Sequence, residues 1–251
     1  MQILGATALL LDIVDLGERD RIATFLTAEH GKRRGVARGS RAKYSRFAGQ
    51  LQLLSKVKVS WFEKDGSDLV RLTDVELLRP AAPLLADLEG IFLVSYLAEH
   101  LREMVLEDQP AEKPFRLLDT TLEALLAGAD RNLAVRYFEI WMLRLSGIFP
   151  IPRTCPLCDS PLDAGAVLAE PEAALICPDC GEGQTGLRLR PPEIAFLQAT
   201  GRNNLEALGN HPPSPAMLAR IEDLCGRVRR SFLESELRSY RVMRETLGGT
   251  P

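Results

Sequence analysis

The chain has 251 residues, 46% of them apolar and 26% charged, as in an ordinary globular protein with enough length for one or two cores. No apolar run reaches membrane-span length; MQILGATALLLDIVDL has no basic leader and is interrupted by Asp12 and Asp15, so it reads as a strand rather than a signal peptide. The formal charge of −3 conceals a division: residues 1–80 carry 14 Lys/Arg against 10 Asp/Glu, a net of +4, which leaves −7 for the rest.

The first 80 residues read as β. Ala6–Val14 is an apolar strand that ends at the turn D-L-G-E-R-D. Arg21–Thr27 is a second strand, His30-Gly31-Lys32 a turn, and Arg33–Arg38 a third strand. Gly39–Gly49 is a polar loop whose large apolar groups are Tyr44 and Phe47. Leu51–Phe62 is the clearest strand, with Val57, Val59 and Trp61 on one face and Lys56 and Lys58 on the other. Lys64-Asp65-Gly66-Ser67 is a hairpin turn, and Leu69–Leu77 returns as a strand. Five short strands in so few residues suggest a small barrel, of which the OB-fold is the usual five-stranded form.

Arg79-Pro80-Ala81-Ala82-Pro83 marks a boundary, after which the periodicity becomes helical. One helix carries Leu84, Leu88, Ile91, Ala98, Leu101 and Val105; others are expected over Pro114–Leu126 and Arg131–Gly147. Phe149-Pro150-Ile151-Pro152 leads into the cysteines. Beyond them come a short helix at Pro191–Thr200, a loop at Gly209–Pro215, and one long helix from Pro215 to Leu247 with Ser214 as N-cap, expected to pack back on the earlier three. The expectation is therefore an α+β multidomain chain: an OB-fold domain at 1–80, then an α-helical domain at 81–251 with a zinc module inserted at 150–190.

Cys155, Cys158, Cys177 and Cys180 read C-x2-C, eighteen residues, C-x2-C. Two such pairs supply the four sulfurs of a tetrahedral zinc site. Pro follows the first Cys of each pair, and Gly181 is expected to supply a left-handed turn, so each pair reads as a tight knuckle. Asp159–Ile176, between the pairs, holds two short apolar runs that fit a zinc-ribbon hairpin. Two disulfides and a redox C-x-x-C are the other readings of the spacing. A reduced cytoplasmic compartment weighs against the first, and the lack of a strand-to-helix setting against the second. Four sulfurs fill the coordination sphere, so one structural Zn2+ is expected, with no place for substrate. Cys225 falls on an apolar helical stripe and reads as core.

Catalytic signatures are missing from the sequence. There is no G-x-x-x-x-G-K-[ST], G-x-S-x-G or H-E-x-x-H, and His30, His100 and His211 lack ligand spacing. Asp12, Asp15 and Asp20 crowd one turn, which does not suit the convergent carboxylates of a two-metal nuclease. No enzyme activity is expected.

The functional signal is the stretch from His30 to Phe62. It holds nine basic residues, Lys32, Arg33, Arg34, Arg38, Arg41, Lys43, Arg46, Lys56 and Lys58, and no acidic residue. A charge run is commonly a solvated loop. Here its single sign, its place on a barrel and its interleaved Tyr44, Phe47 and Trp61 favour nucleic acid. Trp61 suits the core, and Tyr44 is the better group for stacking on bases. The alternative is a zinc-stabilised interaction adaptor whose basic loop meets an acidic protein.

The turn L-G-E-R-D-R-I-A-T-F-L-T, then H-G-K-R-R-G-V-A-R-G-S-R, then a helical domain bearing CPLC…CPDC, resembles the bacterial RecO family along nearly the whole chain. That resemblance implies a recombination mediator of DNA repair that binds single- and double-stranded DNA and anneals complementary strands. It also implies work with RecR and the single-stranded-DNA-binding protein SSB to load RecA, in the cytoplasm at the nucleoid. By position, Lys32, Arg33, Arg34, Arg38 and Arg41 match the family's basic barrel surface, and the four cysteines match its zinc-bearing members.

Overall fold

The computed structural model describes residues 2–63, 69–149, 151–169 and 173–248. The turn expected at Lys64–Ser67 and Pro150 of the lead into the cysteines lie outside them.

Five strands form the first element group: β1 (Gln2–Leu16), β2 (Asp20–Thr27), β3 (Gly31–Ala37), β4 (Lys56–Glu63) and β5 (Val70–Arg79). They close in the order β1-β2-β3-β5-β4, antiparallel except where β3 meets β5. This is the expected OB-like barrel. Alternation sorts the side chains. Ala23, Phe25, Ala37, Val57, Val59, Trp61, Leu72 and Val75 point inward as one core.

The strand expected from Leu51 begins only at Lys56. Leu54 adopts φ +54, and its N–H donates to Leu10 O at 2.7 Å, beside the β1 bulge between Leu10 and Asp12. The segment is thereby used as a turn that feeds the bulge. Gly31 opens β3 rather than sitting in the turn, at φ +65, and a Cβ there would stand 1.9 Å from Gln109 O. Both its conformation and its contact require glycine.

After a 3-10 turn at Ala82–Leu85 come α1 (Leu88–Met104), capped by Asp87, and α2 (Glu112–Leu126). α1 lies on β1 and α2 on β2. By contacts the chain forms two compact units, residues 1–126 with 237–249, and 127–236 with 250–251. The apolar faces of α1 and α2 find their cover on the barrel, so the change of periodicity at Arg79–Pro83 marks a change of secondary structure inside one unit.

The second unit holds α3 (Arg131–Leu145), the strands β6 (Ala166–Ala169), β7 (Ala174–Ile176) and β8 (Arg188–Leu189), then α4 (Pro191–Ala199), α5 (Leu205–Gly209) and α6 (Pro215–Leu233). α3 packs on α6. The single long helix expected from Pro215 to Leu247 is two. Glu234 turns left-handed at φ +55, and α7 (Arg238–Leu247) follows. Within the second unit Glu236 folds back to Arg229 at 2.6 Å and Arg230 at 2.9 Å. Within the first, Glu99 of α1 accepts from the N–H of Arg238 and of Ser239, giving α7 a cap from outside its own sequence, and α7 packs on α1. Phe232 is exposed, whereas Cys225, expected in the core, is buried, and burial pushes its thiol far up.

Between α3 and α6 lies a buried ion network. Glu139 meets Arg136 Nε at 3.0 Å and Arg229 Nη1 at 3.5 Å, and Arg136 also meets Glu222 at 2.9 Å. Removing Glu139 takes one buried partner from each of Arg136 and Arg229, which keep Glu222 and Glu236; breaking a buried set of this kind costs up to about 3–5 kcal/mol. Glu139→Ala should therefore lower the thermal unfolding midpoint of the second unit sharply, read by calorimetry. A midpoint within error of wild type would show that the network is energetically idle.

Candidate nucleic-acid interface and metal centre

The loop between β3 and β4 is long yet pinned. Phe47 is buried in the barrel core. Gln50 Oε1 accepts from Leu77 N at 2.7 Å, Asp20 Oδ1 accepts from Gly39 N at 2.8 Å, and Arg41 N donates to Arg19 O at 3.0 Å. These anchors hold the loop tip in a fixed place beside the β1–β2 hairpin. The tip carries Lys43, whose ammonium lies 5.5 Å from the Tyr44 ring centre, and Arg46, whose guanidinium lies 5.2 Å from that of Phe47. Tyr44 is 90% exposed, a large aromatic face turned to solvent on a rigid support.

The ten candidate residues separate into two groups. Arg34, Arg38, Lys43 and Arg46 are exposed and make no ion pair among the described residues, and Tyr44 stands with Lys43 and Arg46. The others are engaged or set apart. Lys32 is only 8% exposed, and its Nζ donates to Arg102 O at 2.5 Å near the carboxyl end of α1. Burial lowers its pKa. It serves that helix end, where carbonyls lack intrahelical partners. Arg33 faces the opposite side of β3 from Arg34 and binds Glu63 at 3.0 Å and Asp108 at 2.5 Å. Arg41 meets Asp15 at 3.4 Å and donates to Gly17 O at 2.7 Å. Lys56 pairs with Asp119 of α2 at 2.7 Å, which Arg79 also holds at 2.7 Å. Lys58 is exposed and lies opposite Glu76 on β5. Lys32 and Lys56 are thus corrected from exposed cations to structural ones.

Two exposed cations were missed. Arg19 lies in the acid-rich turn, but Asp20 is spent on Gly39 and Asp15 on Arg21 and Arg41, which leaves Arg19 without an ion pair among the described residues. Arg71 projects outward from β5 opposite Val36, also without an ion pair among the described residues. Strand alternation around Val70 and Leu72 was the signal that could have found it.

The four cysteines converge. Their sulfurs all lie within 4.8 Å of one another, with Cys158 and Cys177 at 3.6 Å. A tetrahedral ion with metal–sulfur bonds of about 2.3 Å sets sulfur–sulfur edges of about 3.8 Å, so the set can hold one. The first knuckle closes by Cys155 N donating to Ser160 O and Asp159 N to Cys155 O, with Asp159 at φ +59. The second closes by Gly181 N donating to Cys177 O. Gly181 is not left-handed as expected. A Cβ there would stand 2.7 Å from Val167 Cγ2, so close approach of β6 requires the glycine. Burial pushes the Cys155 thiol up, but hydrogen bonds from the backbone of Cys177, Leu157 and Cys158 outweigh it and bring it to about 6. Hydrogen bonding to Cys158 and Cys177 pushes Cys180 up to about 12. The knuckles rest on the three-stranded sheet β7-β6-β8.

Among known proteins, the family profile described as Recombination protein O N terminal matches residues 1–81, and that described as Recombination protein O C terminal matches residues 85–241. A DNA repair protein RecO of Anaeromyxobacter sp. (strain K) is 36% identical over 240 residues, covering 91% of this chain and 94% of the relative. That of Myxococcus xanthus (strain DK1622) is 34% identical over 221 residues, covering 86% and 87%, and that of Roseiflexus sp. (strain RS-1) 32% over 240 residues, covering 92% and 82%.

Proposed function

Since the chain belongs to the recombination protein O family, we propose that it serves DNA repair and recombination by holding DNA strands, without reading their sequence, on the exposed cations of its barrel. The observation that carries this is the set Arg34, Arg38, Lys43 and Arg46, with Arg19 beside it, on strand β3 and two mutually anchored loops. Flexible exposed cations neutralise phosphates and release counterions, which supplies affinity without specificity. Such a surface also lowers the repulsion between two polyanions, so annealing of complementary strands requires no covalent step and no catalytic residue. Work with RecR and SSB toward RecA loading, in the cytoplasm, belongs to the same proposal and rests on the family. So does Zn2+ as the ion of the four cysteines, a structural metal that would fix the knuckles.

Titration of single- and double-stranded oligonucleotides across ionic strength tests the reading. Engagement of about five phosphates gives a log–log slope of about −3.5 for single strands. A flat salt response rejects it, and absence of binding by the purified chain would favour the protein-adaptor alternative.

Asp15 refines the expectation. Its two oxygens hold Arg21 at 3.1 Å and Arg41 at 3.4 Å, at the rim of the cationic surface. Exposed pairs of this kind are worth about 0–1 kcal/mol, so the lost pairing costs little stability. Asp15→Asn removes a negative charge and frees both cations. Affinity for single strands should rise about threefold and the salt slope steepen. A fall in affinity would mean that Asp15 chiefly holds the loops in place.

A further inference from the structure

The four sulfurs of the metal centre do not share one exposure. Cys155 and Cys177 are buried and Cys180 is half-buried, but Cys158 is exposed. Local structure sets the difference. Cys177 follows directly on β7, whose last residue Ile176 is buried, and Gly181 of the same knuckle lies against Val167 of β6. The first knuckle is tied only at its ends. Cys155 N donates to Ser160 O at 2.8 Å, Leu162 N donates to Arg153 O at 3.1 Å, and Leu162 is buried. Between these ties Pro156, Leu157, Cys158 and Asp159 stand in solvent, with Leu157 67% exposed. Cys158 is therefore the cysteine a solute meets first, and the sulfur of buried Cys177 lies 3.6 Å from its own.

The surrounding charge selects among oxidants. Residues 153–163 and 177–184 expose four carboxylates, Asp159, Asp163, Asp179 and Glu182, against one cation, Arg153. That field repels an anionic disulfide such as oxidised glutathione and leaves a neutral hydroperoxide free to approach. A sulfur that serves as a metal ligand is a thiolate, the form that peroxide attacks. Cys225, the remaining cysteine, is buried and takes no part.

We propose that Cys158 is a peroxide-modification site and that its oxidation cross-links it to Cys177, which makes the four-cysteine centre a reversible redox switch. The proposal rests on the structural-zinc reading above. In the first step the Cys158 thiolate attacks one oxygen of the hydroperoxide and the O–O bond breaks, giving Cys158 sulfenic acid and hydroxide. In the second the Cys177 thiolate attacks the Cys158 sulfur, forming the S–S bond and expelling a second hydroxide. Two protons from solvent convert both hydroxides to water. The two sulfurs together lose two electrons, which the O–O bond takes up. Cys155 and Cys180 then remain as the only ligands, too few for a closed site, and the ion is released. The new bond spans residues 159–176 and ties the two knuckles together in place of the metal. A thiol reductant reverses it.

The test uses the full zinc-loaded chain with a chromogenic zinc chelator. Brief hydrogen peroxide with a dione that traps sulfenic acid, followed by peptide mass spectrometry, should label Cys158 about tenfold more than Cys155, Cys177 or Cys180. Without the trap, longer exposure should release one zinc per Cys158–Cys177 disulfide, and a thiol reductant with added zinc should restore the original content. Oxidised glutathione at the same concentration should release zinc about tenfold more slowly. The oxidised, zinc-free chain should unfold at a higher temperature than Cys177→Ser, which has neither metal nor cross-link. Labelling first at another cysteine, a disulfide confined to one knuckle, zinc retained under peroxide, or no gain in stability over Cys177→Ser overturns the switch while the structural metal stands. Faster release by oxidised glutathione overturns the choice of oxidant. A purified chain that takes up no zinc overturns both the switch and the structural metal.

Discussion

Arg34→Glu combined with Arg38→Glu should abolish strand binding at moderate salt while leaving thermal unfolding at the wild-type temperature. Each reversal replaces an attraction for phosphate by a repulsion. At about 4 Å in water a unit pair is worth about 1 kcal/mol, so the change is about 2 kcal/mol per site and about 4 kcal/mol for the two. That corresponds to about a thousandfold loss of affinity at low ionic strength, shrinking as salt rises. The single-strand salt slope should flatten by about 1.4 if each arginine meets one phosphate. The fold is expected to tolerate both changes. The two side chains are exposed and make no ion pair among the described residues, and substitutions at such positions usually stay within about 0.5 kcal/mol. Lys56→Ala is the contrasting control, because its ammonium is held by Asp119 and its loss should leave DNA affinity nearly unchanged. Undiminished binding by the double variant would remove these arginines from the interface.

Cys177→Ser should empty the metal centre and loosen the second unit without touching the barrel. Cys177 is buried, its Sγ lies 3.6 Å from that of Cys158, and Cys180 N donates to it. A serine hydroxyl does not ionise at neutral pH and cannot replace a thiolate ligand. Metal binding contributes on the order of 10 kcal/mol to folding in isolated finger peptides, and less is expected where packing on β6 already supports the knuckles. Zinc content by mass spectrometry should fall well below one per chain, and the unfolding midpoint of the second unit should drop by several degrees or more. Single-strand affinity should change little, because the cations lie in the first unit. Stoichiometric zinc together with full stability in this variant would refute a structural metal at this site.

Much of this was legible in the chain. Val57, Val59 and Trp61 alternate with Lys56 and Lys58, and all three apolar residues are in the barrel core. The cysteine spacing led directly to four converging sulfurs. The break between α6 and α7 was not legible. No Gly or Pro marks Leu233–Leu237, and the left-handed turn at Glu234 accompanies carboxylate contacts at Glu236 and Glu99 that helical periodicity does not contain.

Composition and spacing alone determined that this protein has a small β-barrel, a helical remainder, a four-sulfur centre and an acid-free basic stretch, because these depend on residues close together in the chain. Only the tertiary structure decided which cations remain free. Arg33 and Arg34 are adjacent in sequence, yet pleating sends them to opposite faces, one to Asp108 and Glu63 and the other to solvent. Lys32 and Lys56 met an α1 carbonyl and the α2 carboxylate of Asp119 from far along the chain. Arg71, which lies outside the basic stretch, came to stand beside Val36 through the β3–β5 pairing. Charge is a property of sequence, but its neutralisation is set by what the fold brings within a few ångströms.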